Sequence, residues 1–240
     1  MLVRQVVADF FETNCWIIAK GANQECLVVD PGISRPSLVN RIKEEIQRFK
    51  LKPVAIVVTH GHLDHTYSVL PLSKEIPMRT YISKKDKYLL QDPYAALQKD
   101  SGIQYLFDQI AKENIGEPSD VYALSDVENF EIAGMKIECK LAPGHTAGSM
   151  VFEVESEFLI SGDVLFAGGA GRRAGPDQRS QVRRQDLPGI LRRVRAPDRR
   201  LSAPPGTTPP GTTPRRPEAA AAAHAQPAGM AALRRPGAVG

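Results

Sequence analysis

Short runs of apolar and β-branched residues alternate with polar turns from the start of the chain to about residue 170. The run Val54–Val58 is continuously apolar and has the length of a strand, which predicts a strand buried on both faces in the middle of a layered sheet. Runs of the same kind predict further strands at Val3–Ala8, Cys15–Ala19, Cys26–Asp30, Arg79–Ile82, Met135–Leu141, Met150–Val154 and Phe158–Ile160.

Helical spacing of apolar residues appears between some of these strands. Within Pro36–Lys50, apolar residues recur every three or four positions with charges between them, which predicts an amphipathic helix. Shorter helices are predicted at Thr66–Ile76, Lys84–Leu90 and Ile103–Ala111, the last of them in a polar surface insertion. Strands and helices in this order indicate a layered α/β fold.

The chain changes character near residue 170. Residues 1–170 have a net charge of −6, whereas residues 171–240 have a net charge of +10 with 14 arginines and no lysine. The later region holds 11 of the 19 prolines and too few apolar residues for a core. We therefore predict one domain over residues 1–172 and a disordered, basic Pro/Ala/Arg-rich tail over residues 173–240.

Composition also limits the partners and the compartment. The basic tail could contact phosphates, but it has no aromatic residue to stack on bases, so we do not expect nucleic-acid binding. Three cysteines without framework spacing fit a reducing compartment. No stretch reads as a secretory signal or a membrane span, and we expect a cytoplasmic protein that acts on a small molecule.

Four of the five histidines lie in two short motifs. The first, Thr59-His60-Gly61-His62-Leu63-Asp64-His65, directly follows the buried run Val54–Val58, and ligands usually bind at that end of a strand in a layered α/β sheet. Imidazole and carboxylate groups are ligands that divalent zinc-like metals prefer. The motif therefore predicts metal binding.

The other two motifs also follow predicted strands. Pro143-Gly144-His145-Thr146-Ala147-Gly148-Ser149 places His145 just after a strand, among small residues that allow a close approach of the backbone. In Ser161-Gly162-Asp163, the aspartate alone would more often be a turn or cap residue. Its candidacy as a ligand depends on the two histidine motifs.

Together, THGHLDHT, APGHTAGS and SGDVLFAGGAGR resemble the metallo-β-lactamase superfamily, and they are most similar to its glyoxalase II-like, or hydroxyacylglutathione hydrolase-like, branch. Thr13-Asn14-Cys15-Trp16 and Val29-Asp30-Pro31-Gly32 also match that branch. The resemblance covers residues 1–172. It implies an α/β fold of the four-layer αββα sandwich type, with metals at one edge between the sheets and the C-terminal part missing or replaced.

The resemblance implies two metal sites. His60, His62 and His145 would hold the first metal, Asp64 and His65 the second, and Asp163 would bridge them. A further histidine of the family has no matching motif here, because the only later histidine, His224, follows no predicted strand. The second site therefore lacks one protein ligand. Two Zn²⁺ are expected, with Fe or Mn as other candidate metals.

The implied activity is hydrolysis of a small thioester or a related acyl substrate by a metal-bound hydroxide. Metal binding lowers the pKa of water from 15.7 to about 7, so such a nucleophile exists at neutral pH. Asp64 would also serve catalysis by orienting the attacking water. Lys84, Lys85 and Lys87 are candidates for contacts with an anionic substrate, although a solvated helix face explains them better.

Two alternatives stay open. The first is an enzyme that resembles the persulfide dioxygenases, with a single iron bound by His60, His145 and Asp163. The second is an inactive, truncated family member.

The abrupt end of the resemblance after Arg172 and the switch to Arg, Pro, Ala and Gly are typical of a GC-rich reading frame that has shifted. We hypothesise a frameshift near codons 170–175.

Overall fold

The computed structural model describes residues 1–96, 110–166 and 169–170. Within these ranges, the α-helices are α1 (Val39–Arg48), α2 (Leu63–Thr66) and α3 (Val69–Glu75), and short 3-10 helices span Lys87–Leu90, Pro93–Ala96, Lys112–Asn114 and Gly162–Val164. The strands are β1 (Leu2–Val7), β2 (Asn14–Ala19), β3 (Glu25–Val29), β4 (Lys52–Val57), β5 (Arg79–Ser83), β6 (Val121–Leu124), β7 (Val127–Ile132), β8 (Met135–Leu141), β9 (Met150–Val154), β10 (Phe158–Ile160), β11 (Leu165–Phe166) and β12 (Gly169–Ala170).

Six strands form the first sheet, sheet A, in the order β1-β2-β3-β4-β5-β6. The first three strands are antiparallel, whereas β3, β4, β5 and β6 run parallel. Along its strands, successive side chains enter different cores, as the two-residue period of a strand requires. Ile56 packs on one side of the sheet and Val57 on the other. Sheet A is therefore buried on both faces, as predicted for Val54–Val58.

A helical layer covers one face of sheet A. From α1, Val39, Ile42 and Ile46 enter this core, and from α3, Val69 and Leu72 do. The helix predicted at Pro36–Lys50 is confirmed, with its regular part at α1. The helix predicted at Thr66–Ile76 divides into α2 and α3. Pro71 is the third residue of α3, where its missing N–H costs nothing because first-turn amides have no helical acceptor.

The second sheet, sheet B, is antiparallel in the order β10-β9-β8-β7. Its inner face packs Met135, Ile137, Phe152 and Ile160 against the face of sheet A opposite the helices. The described residues therefore supply three layers, a helical layer and two sheets. On the outer face of sheet B, Val151 and Leu159 pack against Val164 of a 3-10 helix and Leu165. No α-helix among the described residues covers that face, so the fourth layer of the expected sandwich has no described α-helix.

Some elements differ from the prediction. The strands β6 and β7 were not predicted, and Lys84–Leu90 is a turn followed by the 3-10 helix Lys87–Leu90. The helix predicted at Ile103–Ala111 lies outside the described residues, apart from its last two positions. Residues 173–240, which include His224, also lie outside the described residues. The predicted disorder of this tail and the frameshift hypothesis therefore stay predictions. Over the described ranges, no helix combines the length and apolarity needed to cross a membrane.

Candidate metal centre

The end of β4 positions the first histidine motif. Val58 N–H donates to Tyr81 O of β5, and Met150 N–H of β9 donates to Thr59 O, both over 2.8 Å. These bonds fix the residues before His60 between sheet A and sheet B. Because His145 follows β8 and Asp163 follows β10, the three predicted motifs meet at this edge of the two sheets.

Three imidazoles converge there. His60 Nε2 lies 3.1 Å from His62 Nδ1, and His62 Nδ1 lies 2.8 Å from His145 Nε2. One ring nitrogen from each residue lies within 4.8 Å of the other two. His60 is fully buried, whereas His62 and His145 are half-buried. This is the predicted first ligand set, which we call the three-imidazole group.

The low pKa values of two of these histidines favour metal binding. Burial, followed by the neighbouring histidines, holds the pKa of His60 well below its ordinary value of 6.5. Burial and then His145 lower the pKa of His62 to about 4. Both rings are therefore neutral at pH 7, so each has a ring nitrogen with a free lone pair. A neutral imidazole is the form that ligates a metal.

A second set combines histidine with carboxylates. His65 Nε2 lies 3.4 Å from Asp64 Oδ2 and 3.3 Å from Asp163 Oδ1. Asp163 also faces the three-imidazole group, because its Oδ2 lies 3.4 Å from His145 Nε2. Its two oxygens thus point to different sets, the placement required of a bridging ligand. His60 also lies close to Asp163, as expected for a bridging ligand, and to His65, a proximity that was not predicted.

The second set fits a cation. His65 Nε2 and Asp163 Oδ1 are buried, and neither has a hydrogen-bond partner among the described residues. Buried polar atoms of this kind are nearly always satisfied in folded proteins, by a protein group, water or an ion. A divalent metal between these atoms would satisfy both. The donor set of imidazole and carboxylate agrees with that interpretation.

The carboxylates change the titration of His65. Burial alone lowers the pKa of a histidine, but Asp64 and Asp30 outweigh it and raise the pKa of His65 well above its ordinary value. For Asp163, burial alone raises the pKa, but the facing His65 reverses this and lowers it. Without metal, a proton on His65 therefore occupies the position that a cation would take.

Hydrogen-bond partners outside the predicted site orient its ligands. Asp30, which is 3% exposed, accepts from Thr59 N–H at 2.8 Å, from Thr59 Oγ1 at 2.7 Å and from His65 Nδ1 at 3.0 Å. Thr13 Oγ1 donates to Asp64 Oδ2 over 3.2 Å. Both Asp30 and Thr13 lie in segments that match the glyoxalase II-like branch, and that match was the available signal for them.

The lysine-rich segment after β5 contains a buried carboxylate that was not predicted. Lys85 pairs with Asp126 at 3.0 Å and Lys87 with Glu117 at 2.9 Å, as expected for a solvated face. Lys84 is exposed. Asp86, between these lysines, is instead buried and accepts hydrogen bonds from both histidine-bearing loops. Nothing in the local sequence distinguishes it from its charged neighbours.

Comparisons with known proteins agree with this geometry. Hydroxyacylglutathione hydrolase GloC of Haemophilus influenzae is 30% identical, and the match covers 73% of this chain and 77% of that protein. A probable metallo-hydrolase of Bacillus subtilis, YqgX, is 32% identical over 63% of this chain and 66% of its own length. Both of these relatives carry names of hydrolases.

Solved structures share the fold. The B3 metallo-beta-lactamase BLEG-1 superposes with a TM-score of 0.59 at 27% identity, covering 71% of this chain and 76% of that one. TTHA1623, solved in a di-iron-bound form, has a TM-score of 0.57 at 24% identity, covering 79% and 86%. Both similarities support the fold described here.

The family assignment follows from most of the chain as well as from the site. The family model of the metallo-beta-lactamase superfamily matches residues 8–216, a range that includes all three motifs. Superfamily members are metallo-hydrolases, and their fold binds divalent metals, typically zinc. With its histidine and carboxylate sets at the edge between two sheets, this chain belongs to the metallo-beta-lactamase superfamily.

Proposed function

We propose that the protein is a zinc-dependent hydrolase that cleaves a small thioester or a related acyl substrate. The observation that carries this proposal is the position of Asp163, whose two oxygens lie 3.4 Å from His145 and 3.3 Å from His65. A shared carboxylate between two ligand sets is suited to a pair of cations. The similarity to GloC, a hydroxyacylglutathione hydrolase, supports a thioester as the substrate class.

His60, His62 and His145 would hold the first cation, Asp64 and His65 the second, and Asp163 would bridge the two. The second cation would then have three protein ligands and an open position, which is typical of catalytic rather than structural zinc. When bound, such cations provide a nucleophilic water at neutral pH and polarise an acyl carbonyl. Iron or manganese would suit the same oxygen and nitrogen donors.

The exposure of the ligands indicates where the substrate enters. His60 and His65 are 1% and 2% exposed, so they would hold a metal without reaching the substrate. The side chains of Asp64 and His145 retain 23% and 19% exposure, so they line the open side. Asp64, held by Thr13 Oγ1, would orient the attacking water and accept its proton.

Turnover of a substrate panel tests the proposal. The full chain, loaded with zinc, is assayed with S-lactoylglutathione, other acyl thioesters and a β-lactam. We expect thioester hydrolysis that a chelator abolishes and zinc restores. Asp64→Asn should lower kcat by about 100-fold or more, in the range of a lost general base. Asp126→Asn, a surface replacement of the same kind, should leave kcat unchanged.

Two other results would contradict the proposal. One iron per chain with oxygen consumption on a persulfide would favour the dioxygenase-like alternative, whose ligands would be His60, His145 and Asp163. Stable metal binding without turnover of any thioester would favour an inactive family member. Metal analysis of the same preparation separates these cases.

A further inference from the structure

Asp86 is a buried carboxylate outside the two ligand sets that, like Asp30, accepts three hydrogen bonds. It lies after β5, at the start of the 3-10 helix Lys87–Leu90, and is 1% exposed. Its Oδ2 accepts from Gly61 N–H at 2.9 Å and from Thr146 Oγ1 at 2.6 Å, and its Oδ1 accepts from Gly148 N–H at 2.7 Å. Both oxygens are therefore engaged by fixed donors, and none of these donors is a metal ligand.

The donors come from the two loops that carry the three-imidazole group. Gly61 lies between His60 and His62, whereas Thr146 and Gly148 lie one and three residues after His145. Asp86 thus connects segments that are more than 80 residues apart in sequence. Hydrogen bonds to an ionised carboxylate are stronger than neutral ones, so this buried connection constrains the distance between the loops.

Close packing leaves the loops little freedom around Asp86. A Cβ atom on Gly61 would lie 2.6 Å from Leu89 Cδ1, and one on Gly148 would overlap the Asp86 carboxylate. Thr146 is fixed further, because its N–H donates to Ser149 Oγ at 3.0 Å. Glycine at these two positions therefore permits direct backbone contact with the carboxylate.

The second ligand set depends on a different carboxylate. Asp30 accepts from His65 Nδ1 at 3.0 Å and from Thr59, whose Oγ1 lies 3.1 Å from His60 Nδ1, so it supports both His65 and His60. The hydrogen-bond donors to Asp86 are Gly61, Thr146 and Gly148. Asp86 therefore joins the loop of His60 and His62 to the loop of His145, whereas Asp30 joins His65 to the residue before His60.

We propose that Asp86 is a positioning residue that fixes the spacing between His62 and His145, and thereby sets the metal affinity of the three-imidazole group. This inference rests on the proposed function only in that the group binds a metal. Zinc–nitrogen bonds are confined to about 2.0–2.1 Å, so a small shift of one loop against the other weakens binding. Outer partners of metal ligands commonly contribute about 10–100-fold in affinity.

Zinc affinities of the full chain test the proposal, measured by competition with a chromophoric chelator. Asp86→Asn keeps the shape but turns an amide N–H toward a backbone or hydroxyl donor. We expect it to weaken the three-imidazole site by about 10–100-fold and the second site by less than about 3-fold. Asp126→Asn, in the partner of neighbouring Lys85, is the matched control and should change neither affinity.

Thr146 provides a milder test if Asp86→Asn does not fold. Thr146→Val removes one of the three bonds to Asp86 and should weaken the first site less than Asp86→Asn, whereas Thr146→Ser keeps the hydroxyl and should match the wild type. Cobalt(II) spectra should show an altered ligand field at the first site only. That change would distinguish positioning from a general loss of stability.

Three results would overturn the role of Asp86. The positioning role would be excluded if Asp86→Asn bound zinc at the first site with wild-type affinity. If Asp86→Asn does not fold, the same result in Thr146→Val would exclude it. Equal weakening of both sites with a lower melting temperature of the metal-free protein would indicate a structural role alone. A wild-type chain that binds no zinc would instead contradict the proposed function, so the two failures are distinguishable.

Discussion

The histidines of the centre differ in protonation although they are neighbours. His60 and His62 have pKa values below 6.5, whereas that of His65 lies above it. Burial dominates for the first two, and the surrounding carboxylates dominate for His65. The metal-free centre therefore carries one proton at His65 and none at His60 or His62 near neutral pH.

This pattern predicts a stability maximum for the metal-free protein near pH 6.5. Below that pH, the unfolded chain protonates His60 and His62 more readily than the folded chain, so the free energy of unfolding falls as pH decreases, for His62 down to about pH 4. Above it, the folded chain retains a proton on His65 that the unfolded chain has lost, so stability falls as pH rises through the folded-state pKa.

Urea unfolding with a chelator present, between pH 4 and 9, measures this profile. His65→Gln should lose the fall on the alkaline side and keep the fall on the acid side. A profile that rises steadily from pH 6.5 to pH 9 in the wild type would contradict the assignment of the proton.

The bridging position of Asp163 leads to a separate prediction. Asp163→Asn should reduce bound zinc from two to one per chain, because the second set then loses a ligand while the three-imidazole group remains. The second affinity should fall by more than about 100-fold, since even outer partners contribute about 10–100-fold. Metal content after dialysis measures this, and retention of both zinc ions would argue against a bridge.

Single residues were predictable where a motif carried them. His60, His62, Asp64, His65, His145 and Asp163 were all named from sequence, and the structure brings them together. Asp86 was not, because its role depends on donors that approach from distant segments. A carboxylate between lysines gives no local sign that it will be buried.

Secondary-structure elements were predictable where one face is uniformly apolar. The pair β6 and β7 was missed because Val121–Leu124 is short and the apolar alternation of Val127–Ile132 is interrupted. Glu128 occupies the same face of β7 as Phe130 and Ile132, where it accepts from Tyr122 OH at 2.6 Å and from Ser125 N–H at 3.0 Å. These two hydrogen bonds hold Glu128 at a position where the alternating pattern of a strand would have an apolar residue.

The loops after β4 and β8 are tightly packed where they contact Asp86, so an added side-chain atom has no room there. Gly148→Ala should destabilise the chain by about 1–3 kcal/mol, as overpacking of a tight site does, and should weaken metal binding at the first site. Gly21→Ala is the matched control, because no atom lies within 4 Å of its added Cβ. Urea unfolding of both variants measures the effect. Equal stabilities would show that the loops can separate at little cost.

At the scale of the whole molecule, the reactivity of the cysteines measures whether the two hydrophobic cores, one on each face of sheet A, are packed. Cys15, Cys26 and Cys139 are buried, with Cys15 and Cys26 in the helix-covered core and Cys139 between the sheets. Burial raises the pKa of Cys26 to about 12 and that of Cys139 to about 11, and it raises the pKa of Cys15 well above its ordinary value. No folded thiol is therefore ionised near neutral pH.

We expect none of the three thiols to react with a disulfide reagent at pH 8 in the folded chain, and all three to react in 6 M guanidinium. Because their pKa values are raised on folding, their contribution to stability is lost as pH rises through those values. Rapid reaction of Cys139 in native buffer would show that sheet B does not pack on sheet A as described.

We expect sheet B to limit the stability of the chain. Within the described residues, β10 pairs only with β9, and the outer face of the sheet is covered only in part, by Val164 and Leu165. Open strand edges and bare sheet faces promote association between chains. We therefore expect a melting temperature below about 55 °C and aggregation on heating, and a cooperative, reversible melt above it would contradict this expectation.

Zinc retention by the purified full chain tests the account most directly. After incubation with excess zinc and exhaustive dialysis, elemental analysis should find metal bound at the three-imidazole group and at the Asp64–His65–Asp163 set, giving two zinc ions per chain. The double variant His62→Gln and His145→Gln should lose the first of them. A wild-type chain that retains no zinc, manganese or iron under these conditions would contradict the metal centre.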